Sequence, residues 1–330
     1  MKIIKQEFWP DWLFNMPLYI WYIIRSIQIW WVGRVIATNP WITNWWFIWE
    51  TKRESLKYID PKYLPRTIFW EKDIYIESII WLIKAKNISY PLIVKADIWE
   101  KSQKIKIINT ERELINIQNN NRWDLLIQEY IQTKSEYWIS YAKMPNQKNW
   151  SVIGITQRKL LDLTWDWRKT LEQLVIDNDR AIRYIKILKK QNANIRNTII
   201  EKWEIMRVMP FGAHSRGTIF YDNSDLISNK LSYIIDKISE SMPGFYIWRY
   251  DIKADSINDI ENWRFWILEV NGIWGIPAHM YDPNNSLIKW YSILFNYRNQ
   301  AFEIAKNNIK KHNIKIPNYK YMYNLIKWDL

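Results

Sequence analysis

Glycine is the residue that lets a chain turn tightly, and this chain of 330 residues has 7 glycines against 24 tryptophans. Average usage of about 7% predicts roughly 23 glycines in a chain of this length, so the deficit nearly equals the tryptophan excess. The tryptophans also fall where glycine is expected. They occur in Asn39-Pro40-Trp41, Asn44-Trp45-Trp46, Thr164-Trp165-Asp166-Trp167-Arg168 and Asn262-Trp263-Arg264, all of which read as turns. Such turns need positive φ or a close backbone approach, and an indole supplies neither. The pattern points to UGA codons that the organism reads as glycine and that are rendered here as tryptophan, and the abundance of Ile, Lys and Asn fits an AT-rich genome; the alternative is a genuinely tryptophan-rich protein with unusual packing or carbohydrate-binding surfaces. Trp9 and Trp12, in an aromatic segment, read as genuine tryptophans. Residues are named below as the sequence gives them.

The other bounds are ordinary. A hydrophobic fraction of 48% over this length allows a sizeable core in two or three lobes. With 0 cysteines there is neither a disulfide framework nor a thiolate metal site, and a reducing, cytoplasmic interior is the natural setting. The formal charge of +13 suits anionic substrates, nucleic acid or a membrane surface, and does not choose among them. Lys310, Lys311, His312 and Lys315 read as a solvated helix end. The first residues carry mixed charge and do not form a secretory signal. The apolar run Leu18 to Ile24 stops at Arg25, well short of the ~20 residues needed to span a bilayer. A peripheral aromatic contact through Phe8, Trp9, Trp12 and Phe14 is the remaining membrane option.

Hydrophobic periodicity gives a helix over residues 51–58, strands over 90–95 and 124–131, and a helix over 110–118 between them. Apolar positions at helical spacing continue over 168–188 and 230–242. A β pair, 245–254 and 264–270, is joined by a polar loop. No internal repeat or low-complexity linker interrupts the chain, so the lobes should pack closely.

The chemistry concentrates in that last pair. Phe265-Trp266-Ile267-Leu268-Glu269-Val270-Asn271-Gly272 ends a strand with a carboxylate and an amide two residues apart, hence on one face. Trp248-Arg249-Tyr250-Asp251 precedes it, placing Arg249 and Asp251 on one face of the partner strand. Three oxygen donors, Asp251, Glu269 and Asn271, suit hard magnesium in company with phosphates. Upstream, Lys95 closes the strand of Pro91-Leu92-Ile93-Val94-Lys95 before the loop Ala96 to Lys101, offering a cation to an anion.

This order of segments resembles the ATP-grasp enzymes, in the branch similar to D-alanine–D-alanine ligases, over most of the chain from Phe8 to Pro283. The resemblance implies an α+β fold in which two α/β lobes clasp ATP: an N-terminal lobe at 1–66, a lid at 67–136 and a catalytic part at 137–330. By the same resemblance Asp251, Glu269 and Asn271 hold Mg2+, and Arg249 steadies the transferring phosphoryl group and the tetrahedral oxyanion. Lys95 binds phosphate oxygens, with an earlier lysine, Lys52 or Lys57, as a second phosphate ligand. Gln128, Glu129 and Ile131 form the hinge that holds adenine, and Glu136 meets the ribose. Phe211-Gly212-Ala213-His214-Ser215-Arg216-Gly217-Thr218 brings His214 and Arg216 to the substrate, and the loop Ile273 to His279 takes the acceptor. The implied activity is a ligase that joins a small carboxylate to an amine through an acyl phosphate, releasing ADP and phosphate, with no nucleic-acid partner. From another class, aromatics interleaved with Lys and Arg suit a non-catalytic nucleic-acid or carbohydrate binder, although the acidic trio is poorly placed for that without a metal.

The recoding is tested by reading the gene. Trp41, Trp45, Trp46, Trp49, Trp99, Trp165, Trp167, Trp248, Trp263, Trp266 and Trp274 are expected to be mostly UGA codons; UGG at these positions would refute it.

Overall fold

A computed structural model describes residues 9–29, 37–40, 51–98, 105–118, 123–147, 150–164, 166, 168–191, 197–199, 205–207, 217–273 and 275–314. The fold is α+β, with a four-stranded and a five-stranded antiparallel sheet, a small two-stranded one, and helices laid against them. The chain opens with α1 (Asp11–Ile29). Next comes the short α2 (Lys52–Leu56), capped by the Thr51 hydroxyl, which accepts from the Glu54 amide at 3.2 Å. β1 (Thr67–Trp70), α3 (Ile76–Ala85), β2 (Leu92–Ala96), β3 (Lys106–Ile108), α4 (Glu111–Gln118) and β4 (Leu125–Glu129) form the first layer. Their strands pair in the order β1-β4-β2-β3. Ile76, Ile79 and Ile83 of α3 recur at helical spacing and bury against Ile68, Leu92 and Ile127 of this sheet.

The second sheet is built from β5 (Ser135–Lys143), β6 (Trp150–Lys159), β9 (Ile219–Asp222), β10 (Ile247–Ala254) and β11 (Trp266–Asn271). Its order is β11-β10-β5-β6-β9. Between β6 and β9 the chain makes a small two-stranded sheet, β7 (Asp162–Thr164) with β8 (Ile205–Arg207), and the helices α5 (Leu171–Asp177) and α6 (Ile185–Gln191). α7 (Asn229–Ser239) is capped by Ser228 and presents Leu231, Ile234, Ile235 and Ile238 to one face of the large sheet. α8 (Ile257–Glu261) joins β10 to β11, and α9 (Leu287–His312) closes the described chain.

Several expectations are modified. The residues expected in an N-terminal lobe do not form a core of their own among the described residues. Ile59 belongs to the core of the large sheet, with Tyr58, Tyr63 and Leu64 packed on it. α1 lies on α9, through Phe14 and Leu18 against Trp290 and Leu294 and through Arg25 Nη2 donating to Asn299 Oδ1 at 2.9 Å. The four-stranded sheet expected to be the lid has its last strand end at Glu129, and Glu136 belongs to the large sheet. The helix expected over 168–188 breaks after Asp177, because Asn178 Oδ1 accepts from the amides of Arg180 (3.0 Å) and Ala181 (2.9 Å) and so starts a separate turn. The aromatic membrane surface is divided. Phe14 is buried and stacks on Tyr291 at 5.6 Å, Trp12 is exposed, and Phe8 lies outside the described residues. No helix among the described residues is long and apolar enough to cross a membrane.

The tryptophans divide as well. Trp263 follows the C-cap of α8 with φ +61°, the left-handed position that glycine ordinarily takes at a helix end. Trp248 and Trp266 instead lie inside strands, and Trp248 is wholly buried in the core beside Tyr141, Phe245 and Tyr250. Trp41, Trp45, Trp46, Trp49, Trp99, Trp165, Trp167 and Trp274 lie outside the described residues.

Trp263 stacks on Tyr63 at 5.6 Å, so a substitution there both removes a ring contact and changes the cost of the left-handed backbone. Trp263→Gly should therefore be more stable than Trp263→Ala by about 1 kcal/mol, since only glycine relieves the conformation. Urea unfolding of the two variants checks this, and equal stability would show that the backbone there is unstrained.

Candidate active site

The polar face of the large sheet is set by the pairing of β10 with β11. Arg249 lies opposite Asn271 and Asp251 opposite Glu269, so the four side chains leave the sheet on one side. The alternate residues Trp248, Tyr250 and Ile252 enter the core on the other. After Asp251 the register shifts: Ile252 pairs with Ile267, and Leu268 is left out of the ladder. Its carbonyl accepts from Lys95 Nζ at 3.1 Å, which ties the lid strand β2 to the large sheet.

The acidic side chains meet here. Arg249 Nε donates to Asp251 Oδ1 at 2.8 Å, and Asn271 Nδ2 donates to the same oxygen at 3.1 Å. Lys52 Nζ stands 3.7 Å from Glu269 Oε1 and donates to the Ile98 carbonyl at 3.2 Å. Of the two lysines only Lys52 lies at this cluster. Lys52 is buried at the cluster, whereas Lys57 is exposed and paired with Glu54 at 2.5 Å. Lys52 is held there because α2 starts on it, with its amide donating to the Asp97 carbonyl at 2.9 Å.

Burial dominates the protonation of these groups. It pushes the Asp251 carboxyl up to about 6, although Arg249 opposes it; the neighbouring Glu269 charge adds to the rise. Burial would raise Glu269 too, but Lys52, Lys95, Arg249 and Arg158 together hold it below the usual carboxylate range. Lys95 is pushed down to about 8 by burial, against the pull of Glu269.

The residues expected around the nucleotide are differently disposed. The Gln128 side chain is buried in the four-stranded sheet, its Nε2 donating to Thr67 Oγ1 at 3.2 Å, which leaves only backbone groups of this segment for a hinge. Glu129 is held by Arg66, whose Nε donates to Oε2 at 2.9 Å. The Ile131 carbonyl accepts from Lys253 Nζ at 2.7 Å, fixing the segment between the sheets. Glu136 stands on β5 facing Lys253 and forms an ion pair with Arg158. His214 and Arg216 lie outside the described residues, as does the loop 99–104.

Sequence reasoning missed Trp138 and Arg158, and it named His279 only as the end of the acceptor loop. Arg158 pairs with Glu136 across β5 and β6, a hairpin whose alternation over 135–143 and 150–159 is the signal that could have revealed it. His279 lies in the 3₁₀ turn Ala278–Tyr281 after β11, buried over Gly154, where a Cβ would fall 2.1 Å from its Cε1. Burial lowers its imidazole to about 4, so the ring is neutral at physiological pH.

No family model matches this chain, and no curated protein matches it in sequence. Among solved structures, it is similar to the D-alanine–D-alanine ligase of Bacillus anthracis complexed with ATP, at 14% identity over 77% of this chain and 68% of that one, with a TM-score of 0.41. It is also similar to the VanG D-Ala:D-Ser ligase of Enterococcus faecalis, at 14% identity over 76% of this chain and 61% of that one, TM-score 0.43. A bifunctional glutathione synthetase from Pasteurella multocida aligns at 12% identity over 71% of this chain and 34% of that one, TM-score 0.38. At these TM-scores superposition by itself assigns neither family nor activity.

If Lys95 meets an anion between the sheets, its proton governs the binding. Affinity for Mg-ATP should fall as pH rises through about 8, because the charged ammonium is then lost from the free protein. Calorimetric titration between pH 6.5 and 9.5 reads this, and Lys95→Arg should flatten the alkaline limb. Affinity independent of pH in the unaltered chain would remove Lys95 from the site.

Proposed function

We propose that this chain is an ATP-grasp ligase that uses ATP and magnesium to join a small carboxylate to an amine. The observation that carries the reading is the convergence of two carboxylates and an amide from β10 and β11 with two lysines. One of these comes from the lid strand, the other from α2. The residues fit a magnesium nucleotide. No group of three acidic or histidine side chains that could hold a metal occurs among the described residues, so a site at Asp251 and Glu269 needs the Asn271 carbonyl oxygen to complete it. Oxygen donors of this kind suit a hard cation beside phosphates, and Lys52 and Lys95 supply the charge that phosphate oxygens require.

When bound, magnesium neutralises charge on the transferring phosphoryl group. The chain's own residues do the positioning. Lys95 and Lys52 hold phosphate oxygens, while Arg249, oriented by Asp251, faces the charge that develops on the phosphoryl group and on the tetrahedral oxyanion. The substrate carboxylate attacks the terminal phosphorus of ATP and the bond to ADP breaks. The amine then attacks the acyl carbon and inorganic phosphate leaves with the acyl C–O bonding pair. Neither step needs a nucleophilic side chain. Under this proposal Glu136 meets the ribose and backbone groups of Gln128, Glu129 and Ile131 meet adenine, the Gln128 side chain being held by Thr67. His214 and Arg216 remain substrate contacts, and a cytoplasmic setting accords with the absence of cysteine.

The experiment is release of ADP and phosphate from ATP, dependent on magnesium, a carboxylate and an amine, using the protein with glycine restored at its UGA codons. Lys95→Ala should chiefly weaken ATP binding. Arg249→Ala should reduce turnover more than nucleotide affinity, by the ~3–4 kcal/mol typical of losing a preorganised oxyanion donor. Unchanged turnover in Arg249→Ala would make the arginine structural and remove the active-site reading.

A further inference from the structure

Position 138 lies in the middle of the polar face, and an indole there is out of keeping with its neighbours. In the register of the sheet Trp138 faces Asp251 on one side and Thr156 on the other, and Ser140 lies between Arg249 and Gly154. The Arg249 guanidinium carbon lies 3.7 Å from the Trp138 ring centroid and that of Arg158 lies 4.7 Å away. Phe220 approaches at 5.1 Å.

Four buried polar atoms on this face have no hydrogen-bond partner among the described residues: Trp138 Nε1, Ser140 Oγ, Thr156 Oγ1 and His279 Nδ1. Ser140 and Thr156 are 0% exposed and His279 is 4% exposed. Buried polar groups are nearly always paired, and leaving one unpaired costs about 1–3 kcal/mol. Other buried atoms without a partner among the described residues, such as Thr38 Oγ1, Gln300 Oε1 and Asn308 Oδ1, lie away from this face and have causes of their own. The four on this face occupy neighbouring positions beside Arg249 and Asp251, so a common cause is the simpler account: an apolar ring with one donor stands where an oxygen-rich group would pair with them. His279 is held against this face by direct packing on Gly154, one of the few glycines in the sequence, which a side chain at 154 would prevent.

We propose that position 138 is glycine in the working protein, and that the space filled here by the indole is the seat of a carboxylate-bearing substrate held by Ser140, Thr156 and His279 beside Arg249. Two hydroxyls and a neutral imidazole donate hydrogen bonds to a carboxylate without neutralising it, which leaves its oxygen able to attack phosphorus. The guanidinium groups of Arg249 and Arg158 flank the same space and supply the positive charge that an anion needs there, while Lys52 and Lys95, at Glu269 and at the Leu268 carbonyl, are left for phosphate oxygens. Adjacent strands are separated by about 4.8 Å, so a group seated on β5 is within reach of one held at Asp251. The identity of the ligand rests on the ligase reading; the existence of the seat does not.

Mass spectrometry of the peptide containing residues 135–143, from protein purified from its own cells, reads position 138 directly. Glycine is expected, and tryptophan overturns the proposal. Two recombinant chains then differ only at 138, both with glycine at Trp99 and Trp263. Thr156→Val should raise the unfolding midpoint in the Trp138 chain, where it removes a stranded hydroxyl, and should not raise it in the Trp138→Gly chain. The same change in both would show that the indole does not strand the hydroxyl, and would overturn the seat. Sodium acetate, compared with sodium chloride at equal ionic strength, should raise the melting temperature of the Trp138→Gly chain alone; no difference overturns the carboxylate assignment. Mg-ATP should bind the Trp138→Gly chain at least ~10-fold more tightly, about 1.4 kcal/mol. Equal binding overturns the obstruction but leaves the ligase reading standing. Binding by neither chain removes the ligase reading and with it the ligand's identity, while the mass and the Thr156→Val comparison still decide the seat.

Discussion

Charge neutrality inside a low-dielectric space is the constraint on which the rest of the molecule turns. Asp251 leaves water and Glu269 is half-buried beside it, so the pair would be disfavoured there without cations close by. Arg249 comes from the same strand as Asp251, whereas Lys52 and Lys95 come from α2 and from the lid strand. The balance therefore exists only when three separate parts of the chain are assembled. The bulge that removes Leu268 from the ladder is part of this arrangement, since it offers the Leu268 carbonyl to Lys95. The raised Asp251 carboxyl and the lowered Lys95 ammonium record the same cost from opposite sides.

The sheet divides this chemistry from the packing that supports it. On β10, Trp248, Tyr250 and Ile252 sink into the core with α7 and α8, while Arg249 and Asp251 face the cluster. A two-residue repeat thus anchors catalytic candidates to a wall of buried aromatic and aliphatic side chains. The Tyr250 hydroxyl, 2.9 Å from Ser239 Oγ, locks that wall to α7. Such backing restricts the positions of Arg249 and Asp251 more tightly than a loop could.

The tryptophans test the reading of the sequence most severely, because the fold treats them in three ways. Trp263 takes a backbone conformation that suits glycine, and Trp138 lies across polar groups that then go unpaired. Trp248, by contrast, packs into the core without left-handed backbone. Excess tryptophan in the composition could not separate these cases. Local backbone geometry separates the first, and the unsatisfied neighbours separate the second.

Much of the secondary structure was legible in sequence because it follows from local periodicity. The strand at Leu92–Ala96, the helix at Asn229–Ser239 and the pair that carries Asp251, Glu269 and Asn271 all show it. Two residues on one strand share a face by the geometry of the strand alone, so Glu269 and Asn271 could be grouped without a fold. The sequence alone did not distinguish Lys52 from Lys57, tie the Gln128 side chain to Thr67, assign Glu136 to the large sheet or bring His279 onto Gly154. Those outcomes depend on pairings between residues far apart in the chain and on burial, which only tertiary structure decides because the free energy of a charge or an amide is set by what surrounds it.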